Sequence, residues 1–291
     1  MKNKMKKIIA AGLLSLIMAA LPVTSWAEEQ KPVEQKQEED KVTGGVDLSV
    51  LSAYIWRGQE LSRSSVVVQP SATIGYKGFT FNAWGNLDTK PYSSTDASYA
   101  SKYTETDLTL SYSKALGIVQ VGGGYIYYAL GAPYSGAAAP LDSQEIFVTV
   151  GLNTLLSPTL TAYKEIEHYH QWYFLLGVSH TFALHEKVGL KLAATASYLL
   201  ATDDNPYYTK YDSNSVATTE KYSNFHDGTV SLSIPVTITK NLTVTPTASY
   251  VFPLCDDAKY EMKGRGLQGV SSPSDRNSSF VYGGVTVSFA F

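Results

Sequence analysis

The sequence YGGVTVSFAF, residues 282–291, alternates strictly between two kinds of side chain. Successive side chains of a β-strand point to opposite faces of the sheet. One face of a strand here carries Val285, Val287, Phe289 and Phe291, whereas the other carries small or polar residues. The stretch therefore predicts an amphipathic strand that runs to the last residue of the sequence.

The composition favours many short amphipathic segments. Of the 291 residues, 44% are apolar, only 17% are charged and 21 are tyrosines, and no long apolar run follows the N-terminus. The net charge of −3 provides no basic field, so a nucleic-acid partner is not expected. The single cysteine, Cys255, cannot form a disulfide within the chain.

The N-terminus has the organisation of a secretory signal peptide. Basic residues between Lys2 and Lys7 precede an apolar run over 8–23 and the small-x-small sequence Ser25-Trp26-Ala27. We expect a signal peptide over residues 1–27. Residues 28–43 are rich in Glu, Gln and Lys, which predicts a flexible periplasmic tail. The folded domain is expected over residues 44–291.

From Gly45 onward, runs of about ten residues alternate with a period of two, the pattern of membrane-spanning barrel strands. The runs predict an all-β fold, a transmembrane antiparallel up-and-down β-barrel of about 12 strands. The first strand is expected over 45–57, with Tyr54 and Trp56 facing lipid and Arg57 facing inward. Three prolines inside predicted strands are expected to mark bulges, because proline cannot donate a ladder hydrogen bond; they are Pro70, Pro235 and Pro246.

The connections alternate between short and long. Barrels of this kind have short periplasmic turns and longer extracellular loops, so both termini are expected in the periplasm. The connection near His170 is a short exception on the outer side. Aromatic residues are expected to form girdles where the strands meet lipid headgroups. The outer girdle would contain Trp56, Trp172, Tyr198, Tyr250 and Phe252, and the inner girdle Tyr76, Phe79, Tyr112, Phe182, Phe289 and Phe291.

Several short motifs resemble a known family. They are SAYIWRG at 52–58, Gln69-Pro70, YKGF at 76–79 and AWGN at 83–86. This series resembles the opening of the TorF-type porin family, whose members begin with a Tyr-x-x-Arg-Gly stretch. Residues 158–182 are similar as well. The resemblance implies a pore in the cell outer membrane, with outer-membrane lipid as its surroundings.

The ending Phe289-x-Phe291 resembles the C-terminal recognition signal of bacterial outer-membrane barrels. This resemblance implies that the two aromatic residues form an insertion signal. The barrel assembly machinery is the partner that would recognise it.

The predicted function is passive diffusion of small hydrophilic solutes through a lumen lined by Ser, Thr, Gly and Asn. We expect Arg57 to face Glu165 or Glu167 across this lumen, either as a charge-selective constriction or as a structural ion pair. The candidate pore-lining residues are Arg57, Asn82, Trp84, Glu145, Glu165, Glu167 and Lys191.

The sequence gives weaker support to candidate metal sites. Glu165 and Glu167 lie on the opposite strand face from His168 and His170, so no metal site is expected there, and no cofactor is expected. The loop residues Asp203-Asp204-Asn205 and Asp256-Asp257 could hold calcium but are more readily explained as solvated carboxylates.

Enzymatic activity is not expected. Ser179 and His180 are neighbours on a strand and point to opposite faces, which argues against a catalytic pair. Two alternatives stay open: an outer-membrane barrel enzyme that hydrolyses lipid or peptide, and a closed structural or adhesion barrel.

Overall fold

The computed structural model describes residues 41–62, 65–90, 101–132, 139–203, 208–265 and 277–291. The predicted signal peptide and nearly all of the predicted tail lie outside these residues. In chain order the elements are β1 (Thr43–Leu51), β2 (Ile55–Trp56), β3 (Gln59–Glu60), β4 (Val67–Tyr76), β5 (Phe79–Asp88), β6 (Lys102–Leu116), β7 (Val119–Leu130), β8 (Ser143–Leu152), β9 (Thr159–Glu165), β10 (Gln171–His185), β11 (Val188–Ala201), β12 (Thr209–Tyr211), β13 (Ala217–Lys221), β14 (Ser223–Ser233), β15 (Val236–Thr237), β16 (Leu242–Pro253), α1 (Asp256–Arg265) and β17 (Phe280–Ala290).

The main sheet closes on itself. It contains 13 strands in the order β10-β9-β8-β7-β6-β5-β4-β1-β17-β16-β14-β11-β15, and β10 also pairs with β11. β14 and β15 are two parts of one strand interrupted at Ile234 and Pro235, so the closed barrel has 12 antiparallel strands. The predicted fold class and strand number are therefore confirmed.

The barrel wall has two chemically different faces. On β1, Val46, Leu48 and Val50 are 46%, 46% and 44% exposed on the outside, while Ser49 is 8% exposed on the inside. The other barrel strands repeat this alternation of apolar outward and small or polar inward residues. None of the helical segments in the described ranges is both long and apolar enough to span a bilayer.

The two ends of the barrel differ. At the end that we call the turn end, short connections follow β4, β6, β8, β10 and β15, and both β1 and β17 have their terminal residues there. At the opposite end, the loop end, the connections are longer except for the one between β9 and β10. The predicted alternation of short and long connections is confirmed, while the side of the membrane that each end faces stays a prediction.

The predicted proline bulges are not observed. Pro235 lies at the break between β14 and β15, and the register with β16 is the same on both sides of it. Pro70 pairs in register with Leu48, and Pro246 with Val285, so neither marks a bulge. Ile234 N donates to the Pro246 carbonyl at 3.0 Å, and proline has no N–H to return the bond. The β4–β5 ladder has no pair at Pro70.

The first strand is shorter than predicted. β1 ends at Leu51, and residues 52–62 fold inward as a hairpin containing β2 and β3. Tyr54 is 5% exposed and packs on Trp84 with ring centroids 5.6 Å apart. The expectation that Tyr54 and Trp56 face lipid is therefore wrong, because the chain reverses at Arg57 and Gly58, whose φ angles are 47° and 75°.

Aromatic residues collect at both ends of the outer surface. At the loop end, Tyr250 stacks on Phe252 with centroids 5.6 Å apart. At the turn end, Phe79 packs on Tyr112 at 4.8 Å. Trp56 is the exception, because it belongs to the inward hairpin.

Candidate functional site

Arg57 occupies the centre of the barrel interior near the loop end. Its Nη2 donates a hydrogen bond of 2.6 Å to Glu145 Oε2, and both side chains are buried. The guanidinium also lies over three aromatic rings, at 4.6 Å from the centroid of Trp56, 5.2 Å from Tyr163 and 4.4 Å from Tyr173. Such contacts stabilise a desolvated cation. The hairpin is thus tied to the barrel wall by one buried cation.

The charge of Arg57 is maintained by its partner. Burial alone would lower the pKa of the guanidinium, but the attraction of Glu145 outweighs it, so the pKa of Arg57 is raised. Tyr128 adds a hydrogen bond from its hydroxyl to Glu145 Oε2 at 2.9 Å. The inward position predicted for Arg57 is observed, but its ion-pair partner is Glu145 and not Glu165 or Glu167.

Glu165 and Glu167 serve the short connection after β9. Glu165 is 0% exposed and accepts hydrogen bonds from the backbone N–H groups of residues 167–170 at 2.6 to 3.0 Å. Glu167 accepts a hydrogen bond of 2.7 Å from Gln144 Nε2 on the exposed rim. The Glu165 carboxylate therefore provides the hydrogen-bond acceptors that the backbone N–H groups of this short connection need at the loop end.

Helix α1 packs beside the hairpin at the loop end. Ala258 and Met262 are 0% and 1% exposed and pack into the interior hydrophobic cluster. Glu261 is also 0% exposed; its Oε1 accepts a hydrogen bond from Gln59 Nε2 at 3.2 Å. We call residues 52–62 together with α1 the plug.

A buried polar network fixes the helix to the wall. His226 Nε2 lies 2.7 Å from Glu261 Oε2, and His226 Nδ1 lies 2.9 Å from Asp227 Oδ1. A protonated imidazole, which is a donor at both nitrogens, satisfies both carboxylates. Asp227 also accepts hydrogen bonds from Tyr173 at 2.9 Å and from Ser197 at 2.7 Å. The side chains of Arg57 and Glu261 thus connect the plug to the wall in the buried interior, and Asp257 adds a hydrogen bond with Asn224 at 2.9 Å.

Between the plug and the turn end the inner wall is lined with hydroxyl groups. Neighbouring strands exchange hydroxyl hydrogen bonds at 2.8 to 3.0 Å; the pairs are Ser49 with Thr286, Thr149 with Thr161, Ser231 with Ser249, and Ser233 with Thr247. Lys191 is 4% exposed and lies between Thr181 and Ser233 in the register. We call this part of the interior the turn half.

Asn82, Trp84, Glu145 and Lys191 all have the inward position that their strand parity predicts, and all four are buried. Their proposed role in a pore stays a prediction. Phe289 and Phe291 lie on the outer surface at the turn end, 45% and 70% exposed, and their role as an insertion signal is likewise untested.

The weaker candidates remain apart from this site. His180 Nδ1 hydrogen bonds to the Leu155 carbonyl at 2.8 Å, and its ring lies edge-on to Phe182. His170 Nδ1 lies 3.2 Å from Asp203 on the exposed rim. Asp204 and Asn205 lie outside the described residues, whereas Asp256 and Asp257 form the first turn of α1.

The plug is the feature that sequence reasoning missed. Two-residue strands such as β2 and β3 are too short to show a period, so the alternation of β1 seemed to continue through them. Asp256 and Asp257 in a first helical turn are a signal that could have indicated α1, since acidic residues favour helix N-termini.

Two solved structures similar to this chain are described as a porin and an outer membrane channel. The NanC porin has a TM-score of 0.51 and 9% identity, covering 84% of this chain and 98% of that chain. The COG4313 outer membrane channel from Pseudomonas putida F1 has a TM-score of 0.48 and 9% identity, covering 90% of this chain and 100% of that chain. No protein-family model and no curated protein sequence matches this chain. At this identity, the first likeness concerns the fold, a closed barrel of the outer-membrane type.

Proposed function

We propose that this protein is a channel of the bacterial outer membrane that passes small hydrophilic solutes by passive diffusion. The observation that carries the proposal is the two-faced closed wall, with apolar residues outside and hydroxyl-bearing residues inside. A closed antiparallel barrel satisfies all its strand hydrogen bonds internally, as a membrane-spanning strand must. An inner wall of Ser and Thr replaces part of the hydration shell of a passing solute.

In this proposal the turn half is the solute path once the channel opens, and the plug is a gate; in the closed state its lining residues are buried, with Thr161 0% and Ser233 2% exposed. The plug occupies the loop half of the interior through Arg57, Ala258 and Met262. Free diffusion therefore needs displacement of the hairpin or of α1. The hydrogen bonds at Glu145 and His226 are suited to reversible displacement of the plug. Water can take over these hydrogen bonds when the plug moves, whereas it cannot replace apolar contacts.

The same proposal includes the orientation of the barrel in the outer membrane and the route by which the chain reaches it. The short turns and both termini would face the periplasm, and the loop end with its plug would face outward. Residues 1–27 would direct export through the inner membrane. Phe289 and Phe291 would then present the last strand to the barrel assembly machinery.

A second candidate function is a closed structural barrel. One observation favours it: the loop half of the interior is packed as a protein core, with Ile126 and Tyr222 at 0% and Leu199 at 2% exposure. A permanently closed barrel needs no hydroxyl-lined turn half, whereas a gated channel does.

Solute flux into proteoliposomes separates the two functions. Refolded wild-type protein and the Arg57→Ala variant are reconstituted into vesicles, and swelling is followed in an iso-osmotic pentose solution. A channel predicts swelling with wild-type protein and faster swelling with the variant. If both folded proteins leave the vesicles as tight as protein-free vesicles, the channel is excluded and the closed barrel is favoured.

A further inference from the structure

Two neighbouring strands bring a group of polar side chains together on the inner wall. In the β5–β6 ladder, Asn82 is paired with Thr109 and Trp84 with Asp107. Directly opposed residues on one face have Cβ atoms about 5 Å apart, and diagonal neighbours about 7 Å. The side chains of Asn82, Thr109 and Asp107 therefore share one small region of the wall.

Each of these three residues contributes a buried oxygen without a hydrogen-bond partner in the described part of the chain. The atoms are Asn82 Oδ1, Asp107 Oδ1 and Thr109 Oγ1, and the residues are 1%, 4% and 3% exposed. A buried polar atom left without a partner costs about 1 to 3 kcal/mol. Three such oxygens at adjacent positions indicate that a ligand satisfies them together.

The hydrogen bonds that the Asn82 nitrogen donates fix the orientation of the side-chain amide. Asn82 Nδ2 donates to Ser71 Oγ at 2.8 Å, to the Ala72 carbonyl at 3.0 Å and to Thr73 Oγ1 at 3.0 Å. All three acceptors are on β4, so the amide oxygen is turned away from β4 and toward β6. Reversing the amide would place its oxygen against the Ala72 carbonyl, which can only accept, so Oδ1 remains an acceptor that faces β6.

The surrounding side chains are mostly acidic. Asp107 shares a side-chain hydrogen bond with Glu105 and lies within electrostatic range of Glu145. Arg57 pairs with Glu145 at 2.6 Å. Two acidic groups that hydrogen bond to each other share a proton, and a bound cation would take the place of that proton.

We propose that Asn82, Asp107 and Thr109 form a binding site for a hard, oxygen-preferring cation of the calcium type. Calcium takes six to eight oxygen ligands at about 2.3 to 2.6 Å and accepts carboxylate, amide and water oxygens together. The three side chains supply one oxygen of a carboxylate, one of an amide and one of a hydroxyl, and water completes the shell. The described residues contain no cluster of three or more Asp, Glu, His or Cys that could hold a metal, so the site depends on neutral oxygens beside a single carboxylate.

Terbium luminescence tests the site directly. Tb³⁺ binds where Ca²⁺ binds and emits when a nearby indole transfers energy to it, and Trp84 is the register partner of Asp107. Folded protein in detergent is titrated with Tb³⁺ under excitation of tryptophan and then with Ca²⁺ as competitor. We expect sensitised emission from wild-type protein, its loss on adding Ca²⁺, and a strong reduction in Trp84→Phe.

Two isosteric variants and one control test whether the Tb³⁺ emission comes from the proposed site. Asp107→Asn removes the one charged ligand without changing side-chain shape, and it should weaken Tb³⁺ binding at this site by at least an order of magnitude. Thr109→Val should weaken it less. Asp47→Asn, which removes a different inward carboxylate on β1, should leave binding unchanged.

Thermal unfolding provides a second readout. Calcium should raise the unfolding temperature of the wild-type protein and of Asp47→Asn, but not that of Asp107→Asn. If instead Glu105 and Asp107 share a proton and water fills the remaining space, calcium will affect wild-type and Asp107→Asn protein equally, and Tb³⁺ emission will be the same in both. Equal calcium effects in the two proteins, or equal Tb³⁺ emission, would each rule out the proposed cation site.

Discussion

Arg57 is the residue that connects the plug to the barrel wall. Its left-handed backbone starts the reversal of the hairpin, and its side chain carries the charge that pairs with Glu145. The alternation predicted an inward side for Arg57, but β1 ends at Leu51, so Arg57 lies inside because the whole hairpin folds inward. The alternation could not identify Glu145 as the partner of Arg57. Their contact depends on the chain reversal at the hairpin, and a reversal does not change the alternation of side chains along the sequence.

The Arg57–Glu145 pair should control how tightly the plug is held. Removing one member of a buried ion pair leaves an unpaired charge and costs about 3 to 5 kcal/mol, whereas replacing both members by apolar residues can be neutral. We expect Arg57→Ala and Glu145→Gln to increase single-channel conductance in planar bilayers and to change ion selectivity. The double variant Arg57→Met with Glu145→Leu should remain close to wild type. If the three variants conduct alike, the pair does not restrain the plug.

Gly58 should be indispensable for the hairpin turn. It has a φ of 75°, and a Cβ added there would lie 2.6 Å from Asp227 Cβ. Gly117 is a matched control, with a φ of 65° and no atom within 4 Å of an added Cβ. Both Gly→Ala changes carry the backbone strain of about 1 to 2 kcal/mol, but only Gly58→Ala adds a collision with the wall. Limited proteolysis should cut the hairpin faster in Gly58→Ala only; equal rates in both variants would argue against close packing at Gly58.

At the scale of elements, the barrel strands were predictable and the plug was not. Long runs such as β6 and β11 repeat the alternation often enough to indicate a strand. β2 and β3 have two residues each, and α1 is a polar segment whose buried residues Ala258, Glu261 and Met262 become recognisable only when the wall beside them is known.

Helix α1 should depend on Glu261 for its position. Glu261→Ala removes the partner of both His226 and Gln59, so the helix loses its buried polar contact with the wall, while the hydrogen bond between Asp257 and Asn224 remains. We expect faster amide hydrogen exchange throughout α1. Lys259→Ala, on the exposed face of the same helix, is the control and should leave exchange unchanged. Unaltered protection in Glu261→Ala would show that the other contacts of α1 hold the helix in place without Glu261.

At the scale of the whole molecule, the closed cylinder follows from one property of the sequence, the separation of apolar and hydroxyl-bearing residues onto opposite faces. This property predicted the strand number, and the alternation of short and long connections predicted the difference between the two ends. The packed loop half was not predictable, because its core is built by contacts between segments far apart in sequence, such as Gln59 with Glu261.

The outer surface should behave as a surface in contact with lipid. Val148 lies near the middle of β8 and is 62% exposed, whereas Val281 lies at the loop end of β17 and is 73% exposed. Arginine costs about 2 to 4 kcal/mol at the bilayer midplane and about 0 to 1 kcal/mol near its edge. Val148→Arg should therefore lower the free energy of unfolding from lipid vesicles far more than Val281→Arg. Equal effects would contradict a bilayer centred on these strands.

The channel itself is tested most directly by single-channel recording of a variant whose residues 53–61 are replaced by a short Gly-Ser linker. With the hairpin gone, Arg57 no longer crosses the interior, and the hydroxyl-lined turn half should open toward the loop end. We predict discrete, long-lived current steps larger than those of the wild-type protein in the same bilayer. A folded, membrane-inserted variant that passes no current would contradict the channel.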